Sequence, residues 1–194
     1  KTNTGIRHML FIYPLVFVFV SGLVSLNVKR KKLLNLGLLA LCLWYFISAA
    51  VIFPDNFAYF NELVGGPGEG YKYLTDANLD WGQDLKSLKK YLDEHNIGKI
   101  KLNYFGGYEA VEYYGINYEL LPPEHNPAYM FLNESEIEKM NMECGPSDGM
   151  IAISATNLQN TFIPNKTCFD WLKKYEPIEK IGYSIFLYNI SKDE

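Results

Sequence analysis

Two long apolar runs open the chain, and shorter amphipathic segments follow them. Residues 9 to 28, "MLFIYPLVFVFVSGLVSLNV", and 33 to 54, "LLNLGLLALCLWYFISAAVIFP", contain no charged side chain. Each is long enough to cross a hydrocarbon core of about 30 Å as a helix. Beyond Pro54 the periodicity changes. Leu85, Leu88 and Leu92 recur at helical spacing within residues 83 to 95, which predicts an amphipathic helix. Residues 99 to 105, "KIKLNYF", alternate as a half-buried strand. "EAVEYY", 109 to 114, predicts a short helix ended by Gly115, and "SEIEKM", 135 to 140, a helix opened by a Ser-x-x-Glu capping box. "MIAISA", 150 to 155, and "YSIFLYNI", 183 to 190, read as strands, and "CFDWLKKY", 168 to 175, as a helix stopped by Pro177. Alternating strands and helices predict a small α/β layer domain. The expected organisation is a transmembrane helical hairpin over 1–54, an aromatic and Gly-rich connector over 55–80, and an extracytoplasmic α/β domain over 81–194.

Charge sharpens this division. Residues 1 to 54 hold six of the 18 basic residues and none of the 22 acidic ones. The first part therefore carries +6, and the remainder, with 12 bases against 22 acids, −10. An ion in hydrocarbon costs several kcal/mol, which accounts for acids being kept out of a membrane segment. A signal peptide followed by a core helix fits less well, because there are two long runs and no small-residue cleavage pattern. "KRKK", 29 to 32, sits between the runs, and the positive-inside rule places such a loop in the cytoplasm. The first helix then runs inward and the second outward, leaving everything after Pro54 outside. Pro14 in the first run needs cover for a freed carbonyl, which points to the tail of a larger multi-span protein and agrees with a start on Lys1. Asn-x-Ser/Thr sites at Asn133, Asn165 and Asn189 fit an outer location. Cys144 and Cys168, the two cysteines beyond the apolar runs, either pair in an oxidising compartment or remain separate thiols. Cys42 reads as a small apolar side chain.

Phe57, Tyr59 and Phe60 resemble an interfacial aromatic belt. "GGPGEG", 65 to 70, lacks the Lys-Ser/Thr of a phosphate loop and the spacing of a dinucleotide fingerprint, so it reads as a flexible loop. The richest stretch is "DANLDWGQDL", 76 to 85. Asp76, Asn78 and Asp80 are weak candidates for a divalent cation, since an EF-hand needs its Gly one place before Gly82 and a closing Glu. Asp80 and Asp84 are spaced to form a carboxylate pair, but a polar loop gives no reason for either pKa to rise. A helix start explains them better, with Asp80 as N-cap, Gln83 as its capping partner and Asp84 in the first turn. Signatures of zinc proteases, thiol redox centres and serine hydrolases are absent, and His8, His95 and His125 are scattered. No metal site is expected.

Arg7 and His8 directly precede the first apolar run, at its outer end. They act either as interfacial anchors or as a site for a lipid-linked phosphate, which Arg grips with two parallel donors. "GIRHMLFIYP", "YFNELVGGPGEGYKYLTDANLDWGQDLKSLKKYL", "MIAISATNLQ" and "WLKKYEPIEKIGYSIFLYNI" together resemble the C-terminal end of archaeal and bacterial membrane glycosyltransferases similar to the dolichyl-phosphate-mannose protein mannosyltransferases. "NLDWGQDL" is the most specific part. The resemblance implies a multi-span body, a polyprenyl-phosphate-linked sugar as donor and transfer on the extracytoplasmic side. It also implies a catalytic acid in an early outer loop upstream of this chain, so no catalytic residue is named here. On this reading Trp81, with Asp80 and Gln83, forms a junction that docks the outer domain or stacks on a glycan. The expected partners are membrane lipid, the lipid-linked sugar and a glycan or protein acceptor, with no nucleic acid. The other function class is a membrane-anchored module that binds glycan or protein without catalysis.

Overall fold

A computed structural model of the chain describes residues 9–22, 31–123 and 132–191. Helix α1, Ile12–Ser21, has no buried residue, and α2, Lys31–Ile52, buries only Ser48 and Ile52. Among the described residues α2 is the one helix long and apolar enough to cross a membrane, by length and composition. Pro14 needs no cover. It lies in the first turn of α1, after Phe11 as N-cap, where the missing N–H has no partner within the helix anyway.

The rest is a mixed α/β domain on a five-stranded sheet of order β2-β1-β3-β5-β4. Strands β1 (Ile100–Asn103), β2 (Tyr118–Leu120) and β3 (Gly149–Ser154) are parallel, while β5 (Ile185–Ile190) runs antiparallel to β3 and to β4 (Glu179–Ile181). Both faces of the sheet are covered. Ile151, Ile153, Phe186 and Tyr188 enter one core with Leu79, Leu158, Phe169 and Leu172. Ala152, Ile185 and Leu187 point the other way, to Leu85, Leu88 and Leu92 of helix α4 (Leu85–Glu94). Two-sided burial is why β3 and β5 read as near-continuous apolar runs. Burying a Leu or Phe contributes about 1.5–3 kcal/mol, so these two clusters hold the domain together.

Several local expectations shift. Helix α4 starts at Leu85, two residues later than the Leu periodicity suggests. Strands β2 and β4, three residues each, are too short to show a period. The 168–175 segment forms turns with a 3₁₀ stretch at Leu172–Lys174 instead of an α-helix, although Cys168, Phe169 and Leu172 all enter one core. Helix α5 (Tyr108–Tyr113) forms near its expected place, and the capping box of α6 (Glu134–Met142) is Asn133 with Glu136, two residues before the expected pair. Asn133 Oδ1 accepts from Glu136 N and Glu136 Oε2 from Asn133 N. The glycine cluster is ordered: Gly65 and Gly66 take φ of 94° and 73°, and Pro67–Gly70 forms one helical turn, α3. A Cβ on Gly70 would lie 2.1 Å from the Phe60 ring. Phe60 thus packs into the domain, while Phe57 and Tyr59 stay exposed. Cys144 and Cys168 form a disulfide.

The connector folds back along α2. Glu62 accepts hydrogen bonds from Trp44 Nε1 (3.1 Å) and Ser48 Oγ (2.5 Å). Both donors lie on α2, so the C-terminal turns of this apolar helix are tied to the domain through one carboxylate.

Candidate functional site

The stretch 75–84 lies over the C-terminal ends of β1 and β3, the edge where open α/β sheets bind ligands. Its anchors are distant in sequence. Thr75 Oγ1 meets Thr161 Oγ1 at 2.9 Å, and Asp76 N donates to Thr156 Oγ1 at 3.0 Å. Thr156 belongs to α7 (Ala155–Leu158), which follows β3 directly. Beneath it Asn157 Nδ2 donates to Asn103 Oδ1, and Asn103 Nδ2 donates to the Leu121 and Pro123 carbonyls, so the ends of β1, β2 and β3 are pinned together.

Asp80 does not cap the helix. Its Oδ1 accepts from Gly82 N at 2.9 Å, a turn closed by an aspartate onto the amide two residues ahead. Gly82, at φ 79°, makes this turn possible. The Tyr104 hydroxyl packs against it, 2.6 Å from where a Cβ would stand. Gln83 braces the same turn, accepting from Trp81 N (2.8 Å) and donating to Leu79 O (3.2 Å) and Asp84 Oδ2 (3.0 Å). Asp84 Oδ2 also accepts from Ser184 Oγ at 2.5 Å, in the β4–β5 turn.

Both acids are buried, Asp80 at 2% and Asp84 at 4% exposure. Burial pushes Asp80 up to about 7, with the neighbouring charge of Asp84 adding to it and the Gly82 N–H opposing it. Burial likewise raises Asp84 to about 6, against its hydrogen bond from Ser184. The sequence expectation that a polar loop leaves these acids unperturbed is therefore corrected: Leu79, Leu85 and Tyr104, all fully or nearly fully buried, exclude water from the loop's inner side. Among the described residues Asp80 Oδ2 has no hydrogen-bond partner. The nearby Ser154 hydroxyl acts on the Asp80 carboxyl as a hydrogen-bond donor that favours its charged form, against burial. Tyr104 has its ionisation pushed up by burial and by the two carboxyls.

Two hollows flank this loop and share Phe57 as a wall. One is an open polar cleft of about 530 Å³ between the end of α2 and the start of α4, lined by Asp55, Gln83, Asp84, Lys86 and Lys90. The other is a mainly apolar groove of about 670 Å³, lined by Leu10, Tyr59, Phe60, Tyr73 and Leu74, with Asn78 at its margin. Trp81 stands nearby, 64% exposed, its Nε1 donating to Ala77 O at 2.9 Å. The indole is held in place at one edge and offers its faces to solvent.

Gln83 and Trp81 therefore reach the open surface, whereas Asp80 lies inside. Asp76, Asn78 and Asp80 do not converge: the Asn78 amide donates inward to Thr75 O, and Asp80 is sealed off. Among the described residues no group of three or more His, Cys, Asp or Glu side chains is arranged to hold a metal ion. Arg7 and His8 lie outside the described residues. Sequence reasoning did not reach Tyr104, Ser154, Ser184, Lys86 or Lys90, which join the site from elements whose local pattern carries no chemical signal.

No protein-family model, curated protein or solved structure matches this chain. Function must therefore be argued from the site.

Proposed function

We propose that this chain is the terminal membrane portion and outer domain of a glycosyltransferase that takes sugar from a polyprenyl-phosphate donor on the extracytoplasmic side. The observation that carries the reading is the meeting of the apolar groove and the polar cleft across Phe57, beside the outer end of α2. A lipid-linked sugar has the same two-part chemistry. Its chain needs apolar walls, and its phosphate and sugar hydroxyls need cations, amides and carboxylates. Lys86 and Lys90 supply charge, Gln83 and Asp55 supply hydrogen bonds, and Trp81 offers an aromatic face. The almost complete exposure of the apolar side chains of α1 and α2 supports their lying in lipid or against further helices. No residue here is assigned the chemical step.

Donor dependence of sugar transfer tests this in membranes holding the full-length protein. Lys86→Ala and Gln83→Ala are expected to raise the donor KM about tenfold, the loss of one charge-assisted or one well-placed hydrogen bond. Arg7→Lys is expected to act similarly, because an ammonium loses the paired donors. An unchanged donor response at normal protein level in all three variants overturns the reading. Topology is checked separately: a cysteine at Lys31 should be shielded from an impermeant reagent added outside, and one at Lys90 should be labelled.

A further inference from the structure

We infer that Asn165 is an N-glycosylation acceptor and that Asn189 is not. Both lie in Asn-x-Ser/Thr triplets, "NKT" and "NIS", so sequence alone treats them alike. The structure separates them. Asn165 sits in a turn in which its Oδ1 accepts two hydrogen bonds from Thr167, one from N at 3.0 Å and one from Oγ1 at 2.8 Å. The triplet is thereby folded so that the threonine hydroxyl is already on the amide it must accompany. Donation to Oδ1 draws electrons from the amide and makes its Nδ2 protons easier to remove. Nδ2 itself is left for attack.

The turn is both exposed and held. Lys166 and Thr167 are exposed and Asn165 half-exposed, while Cys168 is buried in the disulfide. Lys166 Nζ donates to the carbonyls of Asn160, Thr161 and Ile163 at 2.8–3.1 Å. Asn160 Nδ2 in turn donates to Lys166 O. A disulfide one residue beyond the triplet is a second, independent sign of an oxidising, outer compartment. Asn189 is itself exposed, but it lies within β5 in register with Met150 of β3, between Tyr188 and Ile190, which are 2% and 8% exposed. Extended backbone sends Asn189 and Ser191 to one face without bending them together. Bending the triplet would strip Ile190 from the core. Asn133 shares the hydroxyl contact through Ser135 but adjoins residues 124–131, outside the described region, and is no part of the inference.

The reaction is a group transfer from a lipid-linked oligosaccharide, catalysed by a host oligosaccharyltransferase. The Asn165 Nδ2–C1 bond forms, the C1–O bond to the lipid phosphate breaks, the amide gives its proton to the enzyme's base, and the lipid phosphate leaves with the bonding electrons. The inference rests on the outer placement of residues 55–194 proposed above, and the test keeps the two apart. The full chain is translated with endoplasmic reticulum microsomes, treated with added protease or with peptide-N-glycosidase, and compared by gel mobility. A protease-protected domain should carry a glycosidase-sensitive mobility step that Asn165→Gln and Thr167→Ala each remove and Asn189→Gln leaves. If the domain is protected but Asn165→Gln changes nothing, or if Asn189→Gln removes a step, the site is wrong and the placement stands. Digestion of the domain from outside overturns the placement and the inference with it.

Discussion

The Asp84 carboxyl fills the space that a side chain at Gly182 would occupy: a Cβ on Gly182 would lie 2.1 Å from Asp84 Cγ. Gly182 and Tyr183 take φ of 55° and 64° in the β4–β5 turn, the left-handed pair that a tight hairpin turn needs. Ser184, next in the turn, donates to the same carboxyl. The turn and the start of α4 are thus one joint, closed by a buried acid and made possible by a missing side chain.

Gly182→Ala should therefore destabilise the chain by about 2–4 kcal/mol, combining a left-handed alanine with a buried clash. Thermal unfolding of the detergent-solubilised protein measures it. In an Asp84→Ala background the same change should cost only about 1 kcal/mol, the backbone share. Equal costs in both backgrounds would show that the two residues do not compete for space.

Stability should fall as pH rises from about 4 to about 7. Asp80 has a folded-state pKa raised to about 7 from an ordinary 3.8. The folded state therefore holds a proton that the unfolded state has released, and this favourable difference disappears as pH passes through the folded value. Between pH 5 and pH 8 the loss is about 3 kcal/mol, with Asp84 adding in the same direction. Asp80→Asn retains the oxygen that accepts from Gly82 N and cannot ionise, so it should reduce the slope to the share of Asp84 and raise the melting temperature at pH 8. A wild-type profile that is flat over this range would show that Asp80 is hydrated.

Reducing the disulfide should weaken the α/β domain. Cys144 and Cys168 close a loop with a sequence separation of 24, for which the chain-entropy account gives about 3 kcal/mol. Denaturant midpoints of wild type and the double variant Cys144→Ala/Cys168→Ala should differ accordingly, and should coincide once reductant is added to the wild type.

Trp81→Ala should separate stability from function. The indole is largely exposed and makes one hydrogen bond, to Ala77 O, so unfolding should change by less than about 1 kcal/mol. If the ring faces a sugar, transfer by the full-length protein should drop about tenfold, the worth of a good aromatic contact. Unchanged transfer would leave Trp81 no role in binding.

The sequence by itself determined the features whose cause is local. Uncharged runs of about 20 residues and the exclusion of acids from residues 1 to 54 mark the apolar helices, because a polar group within such a run carries its cost wherever the rest of the chain goes. The spacing of Leu85, Leu88 and Leu92 marks α4 for the same reason, since one face must be buried. The tertiary structure decided the state of the loop between them. Asp80 and Asp84 looked like solvated helix-start acids because nothing in "DANLDWGQDL" reveals that Tyr104, just after β1, Ser154 at the end of β3 and Ser184 in the β4–β5 turn close over them. A carboxyl's pKa follows from the water it loses, and that loss depends on residues up to 100 positions away in the chain. The pairing of Cys144 with Cys168 and the register of Asn189 opposite Met150 rest on the same kind of distant contact, since each depends on which segments the fold brings side by side.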